Sequence, residues 1–212
     1  MLRRHASIAA ILVWSSASLA VAVAAEFRPV TEQVLNNPDP ADWLMINRTY
    51  DEQRFSPLKQ INRSNVGELR MAWTRGMPSG TQESTPMVYN GVMYVIAPGG
   101  GVQALDGTSG DLVWEYWRTY PKDMAQTIRA ATLSRGKNLA MFEDMVYFAA
   151  ADGFLVALDA QTGKVRWETK AHDYTKGTEH TGGLMVADGK VISNRTCTQR
   201  DGCFIADRKS VV

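Results

Sequence analysis

The chain contains two near-copies of one short unit, and a unit too small to bury its own apolar face folds only by stacking on its neighbours. Ala104-Leu105-Asp106-Gly107-Thr108-Ser109-Gly110-Asp111-Leu112-Val113-Trp114 is matched by Ala157-Leu158-Asp159-Ala160-Gln161-Thr162-Gly163-Lys164-Val165-Arg166-Trp167, every equivalent pair lying 53 residues apart. At the same offset Tyr94 pairs with Tyr147 and Gly100 with Gly153. A third copy begins at Asp188-Gly189-Lys190-Val191-Ile192 and reaches Cys203-Phe204-Ile205-Ala206, where its own Ala-Leu-Asp turn is due and does not follow. Trp73, at the end of Val66 to Trp73, closes an earlier and degenerate copy.

Each unit reads as strand, hairpin, strand, tight turn, strand. Alternation at Val102 and Ala104, and at Leu155 and Ala157, marks short half-buried strands, and the Asp-x-x-x-Gly that follows closes the next hairpin. The Asp side chain is placed to hold the amides of that turn, while Gly110 and Gly163 supply the positive φ of its corner. Trp114 and Trp167 stand four residues beyond the glycine, on the outgoing strand. A large aromatic recurring once per unit implies packing between units. Sheets of short antiparallel strands at a period of about 40 to 50 residues predict an all-β fold, a β-propeller. About three blades are visible, fewer than the roughly four to eight that close a ring. Residues 62–206 are therefore expected to form the N-terminal blades of a larger propeller, cut in mid-unit.

The two ends read differently from the repeats. Arg3 and Arg4, the apolar run from Ile8 to Val23 and the small residues Ala22-Val23-Ala24-Ala25 predict a signal peptide over residues 1–25 and a mature chain starting near Glu26. A retained anchor needs about 20 unbroken apolar residues, and Ser15, Ser16 and Ser18 interrupt the run. The expected location is periplasmic or secreted, with no transmembrane anchor in the mature chain. In that oxidising compartment Cys197 and Cys203 read as a disulfide rather than a zinc site, for which Cys-x5-Cys is the wrong spacing. At the other end, Asp207 to Val212 can be encoded by the opening of a common sequencing adapter followed in frame by a stop codon, so residues 207–212 are expected to be a non-native tail. With 23 Lys plus Arg against 22 Asp plus Glu, the chain gives no ground for a nucleic-acid partner.

Residues 26–61 form a lead-in that mixes aromatic and charged side chains without a period, expected to wrap a propeller edge. Asp123 to Ala131 reads as a short helix. His172 and His180, eight positions apart in a polar loop, read as ordinary surface residues.

Three tracts together resemble the N-terminal part of the pyrroloquinoline quinone (PQQ)-dependent alcohol dehydrogenases of the methanol/ethanol type. They are Asp42-Trp43 with Arg48-Thr49-Tyr50-Asp51-Glu52-Gln53-Arg54-Phe55-Ser56-Pro57-Leu58, then Gln82-Glu83-Ser84-Thr85-Pro86, and the repeated Ala-Leu-Asp-x-x-x-Gly-x-x-x-Trp. The resemblance covers residues 36 to about 206. It implies an eight-bladed propeller with PQQ on its axis, calcium or a lanthanide beside the quinone, an alcohol as substrate and a cytochrome c as electron acceptor. PQQ is a flat ortho-quinone with three carboxylates, so its site needs cations and hydroxyls at the rim and a metal at the reactive carbonyl. The resemblance assigns Glu83, Arg135 and Thr181 to cofactor contacts. Read from the residues alone, Glu83 is a loop carboxylate on the Thr85-Pro86 turn, Arg135 a surface arginine and Thr181 a strand-start threonine.

Two departures from the family stand out. Its vicinal cysteines are replaced by Arg129-Ala130-Ala131-Thr132, and its metal-binding Gly-Gly-Ala-Glu tract by Ser193-Asn194-Arg195-Thr196-Cys197-Thr198-Gln199-Arg200-Asp201, without a glutamate. Asn194 and Asp201 are the candidate hard-oxygen ligands in its place, and Arg195 a candidate for a PQQ carboxylate. The pattern implies a divergent branch acting on larger or unusual alcohols. The family's catalytic aspartate, remaining metal ligands and ring-stacking tryptophan belong to later blades, so no catalytic residue is assigned here and the chain alone is expected to be inactive. The competing class is a non-catalytic propeller scaffold of the cell envelope. Glu83 and Arg135 separate the two, because a scaffold has no use for an inward carboxylate and guanidinium on adjacent blades.

Overall fold

The computed structural model describes residues 26–124, 136–176, 180 and 182–194, and the backbone of 205–209. Three antiparallel sheets follow one another along the chain. The first holds β1 (Met87–Tyr89), β2 (Val92–Ala97), β3 (Gly101–Asp106) and β4 (Leu112–Trp117) in sequential order. The second repeats this with β5 (Ala140–Phe142), β6 (Met145–Ala149), β7 (Phe154–Asp159) and β8 (Val165–Lys170). In the third, β10 (Lys190–Asn194) lies between β9 (Met185–Ala187) and β11 (Ile205–Lys209). This is the all-β blade architecture expected of a propeller. The repeat accounts for three strands in each of the first two sheets and for two in the third; the first strand of each, three residues long, is too short to show a period. The predicted helix at Asp123 to Ala131 falls mostly outside the described residues.

Register repeats with sequence. Tyr94 faces Ala104 and Tyr147 faces Ala157, and each sheet is bulged one step later, at Ala104/Leu105 and at Ala157/Leu158. On the equivalent rung of the third sheet, Ile192 faces Asp207, so the backbone pairing runs into the segment read as a tail. The strands read as half-buried are covered on both faces: Val102, Gln103, Ala104 and Leu105 are all buried, as are Leu155 to Leu158. Stacking of sheet on sheet hides the second face of β3 and β7, while β4 and β8 alternate toward solvent.

The turns behave as their residues dictate. Asp106 Oδ1 accepts from the amides of Thr108 (2.8 Å) and Ser109 (2.9 Å), and Asp159 Oδ1 from those of Gln161 (3.1 Å) and Thr162 (2.9 Å). The Ser109 and Thr108 amides hold the Asp106 carboxyl below the usual carboxylate range. Each corner glycine then serves as a landing site for a tryptophan from the preceding unit. Trp114 Nε1 donates to Ala160 O at 2.9 Å and its ring lies against Gly163; 53 residues earlier in the target, Trp73 Nε1 donates to Gly107 O at 3.2 Å with its ring against Gly110. Trp114 also packs on Tyr94 of its own sheet at a centroid distance of 6.0 Å, and the Tyr94 hydroxyl reaches the same Ala160 carbonyl. A second tie joins the same pair of sheets. Arg118 Nε donates to both carboxylate oxygens of Asp152, at 2.7 and 2.8 Å, its Nη1 donates to Glu168 at 2.9 Å, and the guanidinium lies 4.7 Å above the Phe154 ring.

The lead-in packs against the first strands of the sheets. Thr31 caps the helix α1 (Glu32–Asn36). Val30 bridges to Glu143 after β5, Trp43 bridges to Val88 in β1, and the Tyr50 hydroxyl donates to Val186 O in β9. Leu35 and Leu44 are buried with Ala140, Met141, Leu184 and Val186. Its aromatic and apolar residues therefore have a regular use despite lacking a period: each anchors to a different first strand. Among the described residues no helix is long and apolar enough to cross a membrane.

The docking geometry yields a direct test. Gly99 and Gly163 both hold a positive φ, +88° and +70°, but a β-carbon at Gly99 meets open space and one at Gly163 runs into the Trp114 indole. Gly99→Ala should cost only the backbone term, about 1 kcal/mol, whereas Gly163→Ala should cost about 3 kcal/mol because overpacking adds to it. Equilibrium urea melts of the two variants compare them; equal losses would show that the indole contact does not hold the sheets together.

Candidate functional site

Residues immediately before β1, β5 and β9 form one end of the three sheets. Each of these strands opens its sheet, and β5 lies beside β9. Glu83 precedes Met87 by four residues, Arg135 precedes Ala140 by five and Thr181 precedes Met185 by four. The three resemblance-assigned positions thus fall on equivalent segments of consecutive sheets. Arg135 and Thr181 themselves lie outside the described residues, as do Arg195, Asp201, Cys197 and Cys203, so the candidate disulfide and the Asp201 ligand have no geometry to report. Glu83 and Asn194 are described.

The strand-start segments are fastened to one another. The Thr85 amide donates to Lys137 O at 3.0 Å, and the Lys137 ammonium forms an ion pair with the Glu83 carboxylate, which joins the first sheet to the second. Gln82 Nε2 donates to Ile96 O at 2.6 Å, and Gly136 packs so tightly on Ile96 that a β-carbon there would collide with it. The second and third sheets are joined by Asn138, 6% exposed, whose Nδ2 donates to Leu184 O at 2.8 Å and to Leu139 O at 3.1 Å. Gly183 leaves room for the Asn138 amide, and Gly182 for that of Asn194, which ends β10 on the same side; a β-carbon at either glycine would overlap the amide. Asn194 is exposed.

This end therefore presents the Glu83 carboxylate, the Lys137 ammonium and the exposed Asn194 amide, while the Asn138 amide is buried and spent on the Leu184 and Leu139 carbonyls. Such a donor set suits a planar anion with several carboxylates and carbonyls at its rim, and the residues present fit PQQ on that ground. Among the described residues no group of three His, Cys, Asp or Glu is placed to hold a metal ion; Asn194 is the described candidate oxygen ligand. A cleft of about 760 Å³ lies elsewhere, between the lead-in and Tyr89, lined by Arg28, Asp39, Asp42 and Arg48 among several prolines. It lies beside Tyr89, where β1 finishes, and among the described residues neither Glu83 nor Asn194 lines it.

Sequence reasoning missed Lys137 and Asn138, whose partners lie 54 and 46 residues away. The one local signal was a polar pair directly before an apolar strand. It also misplaced the histidines. His172 and His180 are 7% and 3% exposed and meet edge-on with centroids 4.3 Å apart. Burial, with His172 alongside, lowers the His180 pKa to about 3, so this ring is neutral at ordinary pH. The pair sits where the chain turns from the second sheet toward the third, and it is interior, not surface.

Asn138→Ala removes the amide that satisfies a buried carbonyl and should lower unfolding stability by about 1–3 kcal/mol. Asn194→Ala, at an exposed position, should stay within about 0.5 kcal/mol. Chemical denaturation of both variants reads the difference, and an unchanged Asn138→Ala would refute the join between the second and third sheets.

The likenesses to known proteins agree with this geometry. Residues 43–168 match the model of a family described as glucose/ethanol/alcohol dehydrogenase, PQQ β-propeller domain. The dehydrogenase subunit of a quinone-type alcohol dehydrogenase from Gluconobacter oxydans is 40% identical over 164 residues, 74% of this chain and 21% of the relative. Quinohemoprotein alcohol dehydrogenase ADH IIB of Pseudomonas putida is 40% identical over 182 residues, covering 82% of this chain and 25% of that protein. Among solved structures, quinohemoprotein alcohol dehydrogenase ADHIIG from Pseudomonas putida HK5 superposes with a TM-score of 0.72 at 34% identity, over 81% of this chain and 26% of that one. A europium-containing methanol dehydrogenase superposes with a TM-score of 0.74 at 28% identity, over 84% of this chain and 31% of the other. The chain spans about a quarter of the length of the relatives it matches. By its tryptophan-docked blades and these likenesses, the chain belongs to the PQQ-dependent alcohol dehydrogenases and carries part of their β-propeller.

Proposed function

We propose that this chain is the N-terminal part of an exported quinoprotein dehydrogenase that oxidises an alcohol to an aldehyde or ketone in the periplasm and passes the electrons to a cytochrome c. The observation that carries the reading is the fastening of consecutive strand-start segments, Glu83 to Lys137 and Asn138 to Leu184, on the segments to which the family resemblance assigns cofactor contacts. Glu83, Arg135, Thr181 and Arg195 would hold PQQ at its rim, and Asn194 or Asp201 would offer oxygen to calcium or a lanthanide. When bound, PQQ supplies the electron sink for the two electrons that leave the alcohol carbon.

The work of this chain's residues is to bind and orient. Glu83 and the exposed Asn194 amide would fix the rotation of a planar ligand within its own plane. The Glu83–Lys137 pair and the Asn138 amide keep adjacent blades at a fixed separation, so that a cofactor bridging them meets preset donors. The base that removes the alcohol proton belongs to later blades, and the 212-residue chain alone is inactive. Similarity to a methanol dehydrogenase that contains europium supports testing a lanthanide beside calcium.

The test is to reconstitute the intact protein with PQQ and either calcium or a lanthanide, and to follow reduction of an artificial dye by a series of alcohols. Alcohol-dependent dye reduction that disappears without PQQ, and no turnover by the 212-residue chain, are the expected results. Absence of PQQ uptake with either metal would reject the dehydrogenase and leave the envelope scaffold as the better reading.

A further inference from the structure

The residue that the family resemblance does not account for is Lys137. It follows Gly136, whose Cα lies against the Ile96 side chain, and its carbonyl is held by the Thr85 amide at 3.0 Å. The Thr85–Lys137 backbone hydrogen bond thus holds together the two segments that carry the ion pair. Both side chains remain partly open, 43% exposed for Lys137 and 31% for Glu83, so a ligand lying over the strand starts can reach the pair.

That placement answers an electrostatic difficulty in the proposed site. PQQ carries three carboxylates that are ionised at neutral pH. A glutamate set against such a ligand repels it unless a cation stands beside the glutamate. A lysine suits this task because its ammonium is a compact charge on a flexible stem, able to remain with Glu83 while turning toward the ligand. We propose that Lys137 belongs to the cofactor site, as the positioning cation that cancels the charge of Glu83 and allows that carboxylate to face the anionic quinone. This rests on the PQQ reading given above.

The experiment is a double-mutant cycle on PQQ affinity, measured by equilibrium dialysis with the intact protein, using Lys137→Met, Lys137→Gln, Glu83→Gln and the combination of Lys137→Met with Glu83→Gln. Lys137→Met and Lys137→Gln should each weaken PQQ binding about tenfold or more, as loss of one partner of a charge pair does at an interface. Adding Glu83→Gln to Lys137→Met should restore affinity to within about threefold of the original, because no uncompensated carboxylate is left. Thermal melts of the same variants separate binding from folding; the partly exposed pair should leave the melting temperature nearly unchanged. Unchanged affinity in both lysine variants overturns the proposal, and so does a loss that Glu83→Gln fails to rescue. If the unmutated protein takes up no PQQ, the dehydrogenase reading fails and this proposal falls with it, an outcome distinct from the other two.

Discussion

The indole of Trp114 touches two sheets at once, and the arrangement of the molecule follows from that contact. One face packs on Tyr94 in its own sheet, the other rests on the corner glycine of the next, and Nε1 holds the carbonyl of Ala160. An aromatic of this size buried between units contributes about 1.5–3 kcal/mol from area alone, and its hydrogen bond adds direction that area lacks. Direction is what a propeller needs. A fixed orientation of one sheet against the next carries the first strands to a common side, and only then do residues before β1, β5 and β9 become neighbours. Arg118, held by Asp152 and lying over Phe154, sets the same orientation from a second point.

The site is a by-product of that stacking. No two of its described polar groups that meet across sheets are close in sequence, yet Glu83 finds Lys137 and Asn138 finds Leu184 because adjacent sheets begin at the same level. The lead-in secures the other end by attaching to Val88, Glu143 and Val186 in turn. One segment thus ties all three sheets together through their first strands. The division of labour is chemical as well as spatial: Leu35 and Leu44 bury apolar surface at the lead-in contact, whereas glycines and amides leave the strand starts shallow and polar.

What can be read from the sequence is the part in which local geometry dictates residue type. A corner needing positive φ demands glycine, a turn with orphan amides favours aspartate, and both recur at one spacing with a tryptophan beyond, which is enough to name blades and their order. The first strands escape notice because three residues carry no period. Val102 and Leu155 read as half-buried because alternation reports one covered face, and only tertiary stacking covers the second. Lys137, Asn138 and the His172–His180 pair stay hidden for a related reason: each takes its role from a partner or a burial that no local window contains. Glu83 is found through resemblance to a family, since its local chemistry fits a turn equally well.

The most direct measurement is a crystal structure of the intact protein with PQQ bound. The quinone should lie over the beginnings of β1, β5 and β9, within hydrogen-bond reach of Glu83, with Lys137 beside Glu83. A quinone seated instead in the cleft lined by Arg28, Asp42 and Arg48, or on a surface formed without these strand starts, would contradict the assignment of the cofactor to this end of the blades.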